Sequence, residues 1–188
     1  MARTTRRQLT NLLGALGVVA TLAALAFGLP AVDRALPNDR AVSAMDPYLV
    51  GAAVTVIPPP GATLDVSETR PGDDQGTVLF HLGSVRYAIA VRPFAGDLEN
   101  AATRLRQRIT STSGYQVTGG QLAVNTAAGL AGIQGGYTAP GRGGRYAVFV
   151  TGGLTIEVTI SGGELDLGRA LPLIDRSTRT LRHDGRQQ

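Results

Sequence analysis

From Gly76 to Ile109 the chain reads GTVLFHLGSVRYAIAVRPFAGDLENAATRLRQRI, and the spacing of its apolar residues changes partway along. Gly76–Leu82 and Ser84–Phe94 are rich in β-branched and aromatic residues, which predicts two strands joined tightly at Gly83-Ser84. In the second, Val85, Tyr87, Ile89 and Val91 alternate with Arg86, Ala88, Ala90 and Arg92, the pattern of a sheet with one face buried. From Leu98 the apolar residues fall instead at Leu98, Ala101, Ala102, Leu105 and Ile109, a helical stripe. Asp97 is placed to cap that helix by accepting from its first-turn amides. Gly114 lies just past its end, where glycine often stops a helix, and Arg104, Arg106 and Arg108 take its exposed side.

Working outward, strands are predicted over Gly114–Val117, Gln121–Ala127, Leu130–Thr138, Arg145–Thr151 and Leu154–Ser161. Gly141-Arg142-Gly143-Gly144 and Gly152-Gly153 read as hairpin turns between them. A second helix is predicted over Leu167–Arg182, with Leu167, Leu171, Ile174, Thr178 and Leu181 on its apolar stripe. Pro172 requires this helix either to begin near it or to kink there. Toward the N-terminus, Arg70–Gln75 reads as a turn, and Ala62–Ser67 and Ala52–Ile57 as short strands, the latter stopped by Pro58-Pro59-Pro60. The fold class is α+β: an N-terminal transmembrane helix, then a mostly antiparallel β-sheet with two packed α-helices.

The transmembrane prediction rests on residues 8–32, which hold no charge and follow Arg3, Arg6 and Arg7. A helix over the 21 residues Leu9–Leu29 would span about 31 Å, against about 30 Å of hydrocarbon. Arginines before the segment, and none after it until Arg34, place residues 1–7 in the cytoplasm and the rest outside. Ala24-Leu25-Ala26 also offers a small-x-small exit, so a cleaved export signal with secretion is the alternative. Residues 33–47 read as a juxtamembrane linker, 48–183 as the extracytoplasmic domain and 184–188 as a disordered tail.

The net charge of +4 invites a nucleic-acid reading, but residues 33–188 hold 15 arginines against 14 carboxylates, which leaves the outer part near neutral. With no tryptophan and no basic-aromatic stripe, nucleic-acid binding is not expected. All 18 basic residues are arginine, and 25 glycines accompany abundant alanine, a composition expected of a GC-rich, actinobacteria-like genome. Without lysine or cysteine, Schiff-base, P-loop lysine, Ser-Lys, thiol and thiolate-metal chemistry are excluded, as are disulfides and a lipidated cysteine.

The order of elements over residues 52–182 resembles the PsbP-like α/β/α sandwich: an early hairpin after a proline-rich opening, a lone helix over Asp97–Thr112, a Tyr/Gly meander and a terminal helix. That fold is typified by the extrinsic PsbP subunit of photosystem II and the LpqN-like lipoproteins of mycobacteria. The resemblance implies a binding or assembly module rather than an enzyme. The lipoproteins' cysteine is missing here.

No catalytic, cofactor or metal motif is expected. His81 shares its facing with Leu79 in a strand, and the only other histidine is His183, so no ligand pair is spaced along the chain. Ser84 has no nucleophile-elbow context. Asp73-Asp74 reads as a solvated turn without calcium-loop spacing. Two features are candidate contacts for an anion or partner: Arg142 and Arg145 around the glycine-rich turn, and Arg104 and Arg108 on one helix edge. The expected partners are the membrane, through residues 8–32, and an envelope protein or anionic envelope component. A cell-envelope hydrolase would need a carboxylate pair such as Asp65 with Glu157 to meet in a cleft, and a small-ligand carrier an apolar cavity between sheet and helix.

Overall fold

A computed structural model describes residues 39–185, so the transmembrane segment at 8–32 lies outside the described residues. Among those described, no helix is long and apolar enough to cross a membrane. The element order is β1 (Asp39–Ala41), β2 (Tyr48–Gly51), β3 (Val54–Val56), β4 (Thr63–Asp65), β5 (Gly76–Leu82), β6 (Val85–Pro93), α1 (Leu98–Thr110), β7 (Gln116–Asn125), β8 (Ala131–Ala139), β9 (Arg142–Thr151), β10 (Leu154–Gly162), α2 (Glu164–Arg179) and β11 (Arg182–His183). Eight strands form one sheet in the order β1-β4-β5-β6-β10-β9-β8-β7, and a three-stranded sheet runs β11-β3-β2. Every pairing is antiparallel. The fold is therefore α+β, a mostly antiparallel sheet carrying two helices.

The quoted segment behaves as its spacing predicts. Leu82 pairs with Val85 across Gly83-Ser84, and Val85, Tyr87, Ile89 and Val91 are all fully buried. The Asn100 amide donates to Asp97 Oδ1 at 2.8 Å, and Ala101, Ala102, Leu105 and Ile109 form the buried stripe of α1. From β6 the chain crosses one face of the sheet as α1, reaches the far edge at β7 and returns strand by strand until β10 lies against β6. It then crosses the opposite face as α2.

Two cores result. On the α1 face, the helix stripe packs on Ile133, Tyr137, Tyr146 and Val148. On the α2 face, Leu167, Ala170 and Ile174 pack with Val50, Val54, Phe80, Tyr87, Phe149 and Val158, and the small sheet closes the layer. Ile57 ties that sheet to α2: its N–H donates to Thr180 Oγ1 at 2.8 Å and its carbonyl accepts from Ser177 Oγ at 2.6 Å. β2 crosses the start of β5 so closely that a Cβ on Gly76 would sit 1.9 Å from the Val50 carbonyl oxygen.

Five boundaries differ from the sequence reading. Asp39–Ala41, within the stretch read as a linker, pairs with β4 as the edge strand β1. Ala52–Ile57 is not one strand, because the chain reverses at Ala52-Ala53, whose φ values of 48° and 56° form the turn between β2 and β3. The strands read at Gly114–Val117 and Gln121–Ala127 are one strand, β7, interrupted by a register shift between Thr118 and Leu122. The turn read at 141–144 is only Pro140-Gly141, since Arg142, Gly143 and Gly144 pair with Ala139, Thr138 and Tyr137. Finally, α2 begins at Glu164, runs through Pro172 and ends at Arg179, which frees Arg182–His183 to pair with β3.

The glycines of β8 and β9 have a packing purpose that their turn-like composition concealed. Across this pair Gly132 faces Phe149, Gly135 faces Tyr146 and Gly144 faces Tyr137. Each ring lies over the glycine opposite: a Cβ would meet ring carbons at 2.4 Å on Gly132, 2.6 Å on Gly135 and 2.1 Å on Gly144. Aromatic–glycine cross-strand pairs of this kind pin register and fill the space a missing side chain leaves.

Candidate functional site

The sequence divides the α1 face into two halves. β8 and β9 present Ile133, Tyr137, Tyr146 and Val148, an apolar seat for the helix. Next to them, β10 presents Thr155, Glu157, Thr159 and Ser161, and β6 presents Arg86, Ala88, Ala90 and Arg92. Small and polar residues give a helix stripe little to bury against, so α1 settles over β7, β8 and β9 and reaches β10 through Arg108 on Glu157. The step between helix and sheet is a groove of about 340 Å³, floored by Ala88, Ala90 and Thr159 and walled by Arg108, Ile109 and Thr112.

Its polar chemistry is concentrated at two points. On the floor, Glu157 is only 7% exposed, and its Oε2 accepts from Arg108 Nη1 across the groove. At one end, the Tyr115 and Tyr137 rings stack at 5.9 Å, and the Tyr137 hydroxyl donates to the Ile160 carbonyl at 2.9 Å. Burial pushes the Tyr137 phenol above its ordinary value, and the Arg142 charge opposes that shift. Arg104 sits over the Phe94 ring, 5.1 Å from its centre.

The four arginines singled out in the sequence do not converge. Arg104 and Arg108 belong to the helix beside the groove, and Arg142 lies near Tyr137 on the same face. Arg145 faces the other way, where Nη1 donates to both carboxylate oxygens of Asp175 on α2 at 2.8 Å. Asp65 and Glu157 stand on β4 and β10, three strand spacings or roughly 14 Å apart, too far for a glycosidase-type carboxylate pair. Ser84 Oγ donates to Asp166 and has no histidine beside it. Among the described residues, one cavity between α2 and the sheet is about 80 Å³ and is lined partly by Asn125, Gln134 and Asp175.

A second constellation was hidden by sequence distance. His81 Nδ1 lies 3.2 Å from Asp39 Oδ1, and Nε2 lies 4.0 Å from Asp65 Oδ2. The Ser67 hydroxyl holds the Asp65 carboxyl below its ordinary value; burial opposes it, while the Glu68 and Ser67 amides and His81 assist. Nothing in the local sequence joins positions 39, 65 and 81, and only the edge pairing β1-β4-β5 does so.

No protein family matches the chain, and no curated protein is similar to it in sequence. Among solved structures, the fold is similar to cyanobacterial PsbP (CyanoP) from Synechocystis sp. PCC 6803, with a TM-score of 0.53 and 14% identity over 73% of this chain and 91% of that one. A Pseudomonas aeruginosa protein of unknown function is also similar, with a TM-score of 0.50 and 18% identity over 62% of this chain and 87% of that one. At these identities the likeness speaks to architecture, and the architecture is PsbP-like.

Proposed function

We propose that the chain is a single-pass membrane protein that presents its PsbP-like domain outside the cytoplasm and uses the groove beside α1 to bind an acidic partner of the envelope. The groove is the observation that carries this reading. It is floored by Ala88 and Ala90, small enough for an extended chain to approach the sheet. Arg92 lines it, Arg108 lines it with its charge paired to Glu157, and Arg104 stands on the same helix as Arg108. The arginine cluster before the uncharged residues 8–32 supports the inside-to-outside orientation. The all-arginine, glycine-rich composition supports an actinobacterial origin, and the order of elements supports an LpqN-like relationship.

A photo-crosslinking residue placed at Thr112 in the full-length protein in its native cells tests the site, with Arg169 on α2 as the comparison position. Adducts from Thr112, absent from Arg169 and weakened by Arg92→Glu, support an acidic partner in the groove. Equal capture from both positions would remove the groove from consideration. Orientation is tested separately by adding protease to intact spheroplasts. Digestion of the C-terminal domain is expected, and its survival would reverse the topology.

A further inference from the structure

We propose that Asp39, Asp65 and His81 form a binding site for one divalent transition-metal ion, which fastens strand β1 to the edge of the sheet. One ligand atom from each residue can be chosen so that all three lie within 4.8 Å of one another. Ligand atoms sharing a Zn²⁺-sized ion at bond lengths of about 2.0–2.2 Å stand roughly 3–4.3 Å apart. The ion takes the ring through one nitrogen, so only one of the two close approaches, 3.2 Å from Asp39 Oδ1 to Nδ1 or 4.0 Å from Asp65 Oδ2 to Nε2, is an edge of the site. The remaining carboxylate lies within 4.8 Å and closes on the ion by a small side-chain shift.

The three side chains are prepared to different degrees. Asp65 is 8% exposed, and its Oδ1 accepts from the Ser67 N–H at 2.9 Å, the Ser67 hydroxyl at 2.6 Å and the Glu68 N–H at 3.1 Å. Those three donors fix the carboxylate plane and turn Oδ2, which takes none of them, toward His81, as supporting hydrogen bonds orient metal ligands elsewhere. His81 is partly exposed and Asp39 half exposed, so an ion can reach the site from solvent. The nearby Glu68 is engaged by Arg86 at 2.8 Å and is not needed as a ligand. Two carboxylates with one imidazole suit Zn²⁺, Mn²⁺ or a similar ion, whereas Ca²⁺ prefers oxygen alone.

The ligands come from three adjacent strands, and β1 contributes only three residues to the sheet. An ion bound here adds a bond between Asp39 and the interior of the domain that backbone pairing of so short a strand cannot match. It would hold the point where the chain enters the domain.

The test is titration of the tag-free, full-length chain with Zn²⁺ against a chromophoric chelator, with Ca²⁺ as the comparison ion. One Zn²⁺ per chain is expected, with at least about tenfold weaker binding in Asp39→Asn and His81→Asn. His183→Asn should bind as the parent does. Asp39→Asn alters an exposed edge residue, so it remains informative even if His81→Asn folds poorly. Hydrogen exchange at Arg40 and Ala41 should slow on addition of Zn²⁺ to the parent and not to Asp39→Asn. Failure to saturate at about 1 mM Zn²⁺, or binding indifferent to Asp39→Asn, would reduce the trio to a histidine between two carboxylates and overturn the proposal.

Discussion

Ala52 and Ala53 occupy left-handed backbone that costs a residue with a Cβ about 1–2 kcal/mol each. The surroundings hold them there: the Ala52 amide donates to Gly72 and the Ala53 carbonyl accepts from the Asp184 amide, both at 2.9 Å. Ala53 is exposed, so Ala53→Gly removes strain without opening a void, and it should raise unfolding stability by about 0.5–1 kcal/mol after the greater entropy of unfolded glycine is counted. A denaturant midpoint at or below that of the parent would show that the turn is not strained. Tyr87 offers a second single-residue test. Burial pushes its phenol up to about 12, against hydrogen bonds from Ser177 and Thr178. Its folded value is thus raised above that of the unfolded chain, near 10, so stability falls as pH rises from about 10 to about 12. The chain has no lysine or cysteine, so tyrosine is the only side chain expected to titrate in that window. The loss should shrink in Tyr87→Phe, measured by urea unfolding at pH 9 and pH 11.

At the scale of elements, legibility followed periodicity. The hairpin β5–β6, helix α1 and strand β10 were readable because their apolar residues repeat at one clear period and end at a cap or glycine. The start of β9 reads as a turn from its glycines, although Gly144 there serves to admit the Tyr137 ring. Gly144→Ala is therefore expected to cost about 2–3 kcal/mol, since its Cβ would strike not only the Tyr137 ring but also the Ile160 carbonyl oxygen at 2.6 Å. Trimming Tyr137 alone cannot relieve a backbone clash, so the double variant Gly144→Ala/Tyr137→Leu should remain destabilised. Recovery of full stability in thermal unfolding would refute that account. Similarly, Arg108→Ala strands the buried Glu157 carboxylate and should destabilise by about 1–2 kcal/mol, with Glu157→Gln restoring part of the loss. The groove was illegible for a related reason. Alternation shows which residues of β6 and β10 share a face, but not where a helix on that face will stop.

Across the whole molecule, the central pair β6–β10 joins strands separated by α1 and three further strands. Such non-local pairing slows folding, and it puts the best-buried backbone at the middle of the sheet. Amide exchange should be slowest in β6 and β10, intermediate in β5 and β9, and fastest at the edges β1 and β7. Equal protection of β7 and β6 would contradict the strand order. At this scale the sequence conveyed the α+β class and the PsbP-like succession of elements, because both depend on order alone. It could not convey the joining of positions 39, 65 and 81, which exists only once β1 has docked at the edge.

The interrupted strand β7 bears on solubility. Gln116–Asn125 is uncharged, and this border of the sheet carries Leu122 61% exposed, features that invite neighbouring copies to stack onto it. The extra residues around Gly119-Gly120 break the run into two short pieces and deny an incoming ribbon a continuous template. Excising both glycines would restore an unbroken ladder, and the resulting protein should scatter light and bind thioflavin at concentrations where the parent stays clear.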